Sequence, residues 1–231
     1  METSTENGNK SYRSIRNQCG LLGMLLPWLA LFSAGIAQHP GPDWWWSISA
    51  TYYQTPALVA VMMPTCLVLF NYCGYEPKDR RLTNLSAICG IGIVLFPCKV
   101  SWIPDGTPVG FFQLPVQISN YFHIGFAGLF FLLMAINSIC LFTKSNAEGD
   151  PTPEKLVRNR IYRICGYSLL VMLALMGPAI LGIIPEYFLL IIEILLLTTF
   201  GFSWLVKGEF FSCFNDKNAE FNFTVQQHHQ V

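Results

Sequence analysis

Residues Tyr187–Val206 read YFLLIIEILLLTTFGFSWLV, with a single charged side chain, Glu193, in twenty positions. A hydrocarbon core about 30 Å thick is crossed by roughly 20 apolar residues in helical form. This stretch has that length and composition, so it is read as a membrane-spanning helix, and the search for others works outward from it. Five more apolar runs meet the same requirement: Cys19–Gln38, Thr55–Cys73, Leu85–Ile103, Tyr121–Phe142 and Ile164–Ile184. Pro185 and Glu186 alone join the last two spans, which therefore form a tight antiparallel hairpin.

The whole composition agrees. Of 231 residues, 52% are hydrophobic and 12% charged, against about 25% charged in an ordinary soluble domain. A globule so poor in charge cannot clothe itself in polar surface. The expected fold class is all-α, a polytopic bundle of six transmembrane helices. It comprises a tail over residues 1–18, a membrane domain over 19–206 and a second tail over 207–231. Zero net charge gives no basic field for nucleic acid. The eight cysteines form no CxxC pair and mostly sit in apolar runs, as small buried hydrophobes do.

Lysine and arginine are retained on the cytoplasmic side. Every one of them except Lys99 falls in the two tails, the second-to-third loop or the fourth-to-fifth loop. Both termini are therefore expected in the cytoplasm. Span one follows a basic stretch and contains Ala34-Gly-Ile-Ala37, a small-residue cleavage pattern, but its apolar run is longer than a signal core and reads as a retained anchor. Prolines at 27, 64, 97 and 178 fall inside spans, where each removes a backbone hydrogen bond and bends the helix. Gly20 and Gly23, then Ser86, Gly90 and Gly92, offer close helix approach.

The external segments are then 39–54 and 104–120, with the short turn at 185–186. The first, from His39, reads HPGPDWWWSISATYY. Its tryptophans have the chemistry of an interfacial belt, and a break near Pro56 is needed, because a helix from Trp44 to Cys73 would be too long for one upright span. Residues 44–54 are expected as a short surface helix or turn over a pocket mouth. In the second, Phe111 and Phe112 point to a dip toward the lipid surface.

Two charges lie inside the apolar zone. Lys99 is four residues from the outer end of span three and Glu193 six residues into span six, about 6 and 9 Å deep. Buried membrane charge faces the bundle interior and is paired, so a Lys99–Glu193 ion pair is expected at the floor of an outward-facing polar pocket. Its lining is expected from Asp43, Ser47, Ser49, Tyr52, Tyr53, Lys99, Asp105, His123 and Glu193. The expected ligand is a lipid headgroup or another small amphiphile, and membrane lipids are the expected partners; a homo-oligomer is left open. No nucleophile elbow, HExxH or phosphate-binding loop is present, no cofactor is implied, and the spacing of Asp43, Asp105, His39 and His123 defines no metal site. Two alternatives stand beside the binding reading: a metal-dependent lipid hydrolase, and a small proton-coupled carrier that uses Glu193.

Several pieces resemble a family of small bacterial six-helix membrane proteins of unknown function: SISATYY at 47–53, YCGYEPKD at 72–79, NLSAICGIGIVLFP at 84–97, RNRIYRICG at 158–166 and FGFSWLVKG at 200–208. That resemblance implies a bacterial inner-membrane protein and brings no substrate with it. A more distant one is to the superfamily of alkaline ceramidases and progestin-receptor-like proteins, membrane hydrolases that hold zinc on histidines with a serine and an aspartate. Ser119-Asn-Tyr-Phe-His123 is similar to their serine-x-x-x-histidine half-motif. Their histidine pair in the final helix and their seventh helix have no counterpart here.

Overall fold

The computed structural model describes residues 2–37, 47–72, 77–144, 151–185 and 187–216. The described chain holds six α-helices: α1 Glu2–Ala37, α2 Ala57–Phe70, α3 Pro77–Leu95, α4 Val116–Ile136, α5 Pro153–Ile180 and α6 Tyr187–Lys207. Each packs on its neighbour in sequence, and α1 packs most extensively on α6, so the six close into a ring.

Four helical stretches are long and apolar enough to cross a membrane: Arg13–Ala37, Val116–Leu141, Pro153–Ile180 and Tyr187–Lys207. The other two helices fall short for different reasons. With 14 residues, α2 is about 21 Å long, because Pro56 caps it and the chain before it is turned aside. The first turns of α3 carry Lys78, Asp79, Arg80 and Arg81.

The expected third span to Ile103 is corrected: α3 ends at Leu95. Pro97 cannot donate the next helical hydrogen bond, and the chain continues through Cys98–Val100 without regular structure. Pro97 thus stops a helix, whereas Pro27, Pro64 and Pro178 lie within theirs. The next segment folds into a small antiparallel hairpin, β1 Pro108–Val109 with β2 Leu114–Pro115. Its turn uses left-handed backbone at Gly110 (φ 69°) and Gln113 (φ 50°). A Cβ on Gly110 would sit 2.6 Å from the Leu95 carbonyl, so the hairpin rests directly on the end of α3. Phe111 and Phe112 project from it, 74% and 52% exposed. Phe112 and Phe122 each stack on Phe96.

Glycine sets the closest contact. A Cβ on Gly201 of α6 would lie 2.6 Å from the Gly20 carbonyl oxygen and from the Met24 amide nitrogen of α1. One on Gly20 would meet the Gly201 carbonyl at 2.8 Å. The two backbones touch with no side chain between them. Gly90 fits against Cys66 of α2, and Gly92 against the ring of Phe126 of α4, as the small-residue pattern anticipated.

At the end that carries the basic loops, Trp204 packs edge-on against Tyr72 and Phe142. The Lys155 and Lys207 ammoniums both donate to the Phe142 carbonyl, at 3.2 Å each. Lys144 pairs with the buried Asp79 at 2.8 Å, and Arg158 with Asp216 at 2.7 Å. Burial pushes the Asp216 carboxyl up, but hydrogen bonds from Thr152 and Arg158 and the nearby cations outweigh it and hold the group below its ordinary range.

Gly201→Val is expected to lower the melting temperature of the detergent-purified protein, an overpacking cost of about 1–3 kcal/mol. Gly125→Ala, where an added Cβ meets nothing within 4 Å, is expected to leave it unchanged or raise it slightly. Equal melting curves for both variants would refute the close α1–α6 contact.

Candidate functional site

The side chains of α6 and α4 meet because of where those helices begin. Glu193 lies six residues after Tyr187, and His123 seven residues after Val116, so each is about 10 Å below the start of its helix. His123 is thus two turns into α4, because that helix begins five residues before the expected span at Tyr121. Both are buried. Between them passes the segment that follows the tryptophans in sequence.

The described residues of that segment, 47–54, make the expected short helical turn, but part of it is buried and not at the surface. Ser49–Tyr53 form a short 3-10 helix whose Ile48, Ala50 and Thr51 are buried. The chain then turns at Gln54 and Thr55 into Pro56, the N-cap of α2, so the break near Pro56 is where the length argument required it. The Thr51 hydroxyl donates to the Ile48 carbonyl at 2.6 Å, and the Tyr53 hydroxyl to the Cys98 carbonyl at 2.8 Å. Ser33 of α1 meets Thr55 at 2.8 Å.

Glu193 fastens this segment to α6. One carboxylate oxygen accepts from the Ser47 hydroxyl at 3.0 Å and from the Ser49 hydroxyl at 3.1 Å. The other accepts from the Ile48 amide. A buried carboxylate is tolerable when donors replace its water, and three donors from three consecutive residues do so here.

The expected Lys99–Glu193 ion pair is corrected. With α3 stopped at Leu95, Lys99 lies outside the helix and its ammonium turns outward to Asp105 at 2.7 Å. Both partners are substantially exposed, and the hydrogen bond from Lys99 holds the Asp105 carboxyl below its usual range, with Gln117 assisting. The Lys99 amide donates to Asn120 at 2.8 Å, which ties the chain after α3 to α4.

His123 is oriented through its Nδ1, which lies 2.8 Å from the Phe96 carbonyl and 3.3 Å from that of Ile93. Carbonyls only accept, so Nδ1 carries the proton and the neutral ring presents a bare Nε2. Nε2 faces the Ser49 hydroxyl at 3.1 Å. The same Pro97 that ends α3 frees these last carbonyls to hold the ring. Ser119, the serine of the serine-x-x-x-histidine half-motif, is turned away and donates to the Pro97 carbonyl at 2.8 Å.

These groups border a cavity of about 530 Å³. Of the nine expected lining residues, Ser47, Ser49, Lys99, His123 and Glu193 do line it. Tyr53 is held on the Cys98 carbonyl beside it, and Tyr52 packs edge-on against Tyr53; neither is a lining residue. Asp105 does not line the cavity, although it pairs with Lys99. Asp43, like His39 and the three tryptophans, falls outside the described residues. Ser101, Trp102 and Asn120 complete the polar rim. Deeper walls come from Leu26, Met62, Ala127, Phe131, Met176 and Leu197, donated by five different helices. Asn120 was within reach of sequence reasoning, since it precedes His123 by three residues and shares its face. The apolar walls carried no such signal. Among the described residues no three His, Cys, Asp or Glu side chains gather as metal ligands.

No protein-family model, curated protein or solved structure matches this chain.

Replacing Glu193 by Leu strands the Ile48 amide and both serine hydroxyls, and is expected to cost at least about 1–3 kcal/mol and to expose residues 47–53 to limited proteolysis. Lys99→Ala and Glu193→Ala, measured singly and together, are expected to change thermal stability additively. A clear coupling between them would restore the ion pair excluded above.

Proposed function

We propose that this chain is a six-span protein of the bacterial inner membrane with both termini in the cytoplasm, and that its outward-facing cavity binds a single-chain amphiphile or lipid. The observation that carries the reading is the layering of the cavity. Its polar groups, Ser47, Ser49, His123 and Glu193, form one level, with the Lys99–Asn120 rim above them. From His123 down to Phe131 of α4 is eight residues, or about 12 Å, and the walls there are apolar. A headgroup meets hydroxyls, imidazole and carboxylate at the upper level while its chain occupies the lower one. A volume near 530 Å³ falls within the range of small-molecule sites, roughly 300–1,000 Å³.

The six-span reading rests on joining α2 to the 3-10 segment before it and on counting α3 with its charged first turns at the cytoplasmic face. Positive charge supports the orientation, since every lysine and arginine except Lys99 lies in the tails or in the loops opposite the cavity mouth.

Native mass spectrometry of gently extracted protein is expected to show a retained lipid or amphiphile. Ala127→Trp, which fills the lower cavity, is expected to abolish both that adduct and the binding of a fluorescent lysophospholipid. Undiminished binding in this variant would place the ligand elsewhere and overturn the proposal. For orientation, Pro104→Cys is expected to react with an impermeant maleimide in intact spheroplasts, and native Cys213, which is exposed, only after lysis. The reverse pattern would invert the topology.

A further inference from the structure

We propose that Ser49 is an acyl-accepting nucleophile, with His123 as its general base, acting on an acyl ester whose chain occupies the cavity. This rests on the amphiphile-binding reading above. Buried serines in the bundle otherwise spend their protons on helix carbonyls: Ser86 on Leu82, Ser138 on Tyr162 and Ser203 on Phe200. Among the described residues Ser49 is the serine whose hydroxyl faces an imidazole nitrogen, at 3.1 Å. That distance is within hydrogen-bond reach for a nucleophile and its base.

The supporting contacts fit the same assignment. The carbonyls of Phe96 and Ile93 fix the tautomer and plane of His123, the task a buried acid performs in a serine–histidine–acid triad. The Ser49 hydroxyl has one proton and two acceptors at 3.1 Å, Nε2 of His123 and a carboxylate oxygen of Glu193. Ser47 already donates to that same oxygen, so delivery of the Ser49 proton to the imidazole leaves Glu193 hydrogen-bonded. The carboxylate then favours the imidazolium that forms next to Ser49. Ser49 and His123 both line the cavity between the rim and the apolar depth, where the ester group of a lipid seated chain-down would rest.

The chemistry balances with water as the only co-reactant. Oγ bonds to the acyl carbon as its proton passes to Nε2. The bond from that carbon to the alcohol oxygen breaks, and the departing alcohol takes the proton from Nε2. Water, giving a proton to the same nitrogen, then adds to the acyl-serine. The bond to Oγ breaks, the hydroxyl recovers its proton, and a carboxylic acid leaves.

The test is covalent capture with a long-chain alkyl fluorophosphonate on the full-length protein in nanodiscs, read by peptide mass spectrometry. A single adduct on Ser49 is expected, absent in Ser49→Ala and formed about 100-fold or more slowly in His123→Gln. An adduct on another residue, or one on Ser49 that forms equally fast in His123→Gln, would overturn the assignment. Should Ser49→Ala not fold, the mapped adduct in the unsubstituted chain decides the nucleophile. A chain that binds the fluorescent lysophospholipid yet resists the phosphonate loses the nucleophile and keeps the binding reading. One that does neither loses both.

Discussion

Everything at the cavity end of this bundle depends on one buried carboxylate. Glu193 takes two serine hydroxyls and a backbone amide from Ser47–Ser49, and this is what turns a connecting segment into an interior wall. Without a fixed acceptor at that depth, three consecutive polar donors would face an apolar interior unsatisfied, and the segment would stay in water. With it, Ile48 and Thr51 are buried, α2 starts late, and Ser49 is delivered to His123. A charge that hydropathy counts as a defect in a span is thereby the fastener that gives the site its shape.

The second constraint is Pro97. It halts α3 about two turns earlier than its apolar run would allow, and three consequences follow at once. The freed carbonyls of Ile93 and Phe96 orient His123. The backbone after the helix becomes available to Asn120 and Tyr53. Lys99 is lifted out of the bundle into a solvent-facing pair with Asp105. Helix termination here is a means of exposing acceptors where a side chain requires them.

The helices themselves were legible in the sequence because burial in lipid leaves a one-dimensional record: long apolar runs, interrupted by charge and glycine. Glu193 and His123 were legible as site residues because an ionisable or polar side chain at membrane depth has few reasons to be there. Their partners were harder to read. Lys99 and Glu193 looked matched by depth and sign, but depth counted along an assumed helix fails once Pro97 ends it. Ser49 and His123 are 74 residues apart, and only the folded path of Ser47–Tyr53 brings them together. Leu26, Met62, Phe131 and Leu197 read like any other lipid-facing or core residue, since no periodicity distinguishes a wall that borders a cavity from one that touches a neighbour.

The contact between the first and last helices bears on how the molecule comes into being. Leu26 and Glu193, on opposite sides of the Gly20–Gly201 seam in chain order, line the same cavity. During synthesis α1 enters the bilayer with its glycine face unpartnered, and it stays so until α6 emerges. No fragment that lacks the last helix has either a closed ring or a site. A premature stop between α1 and α6 therefore leaves the glycine face of α1 without the partner it packs on most extensively.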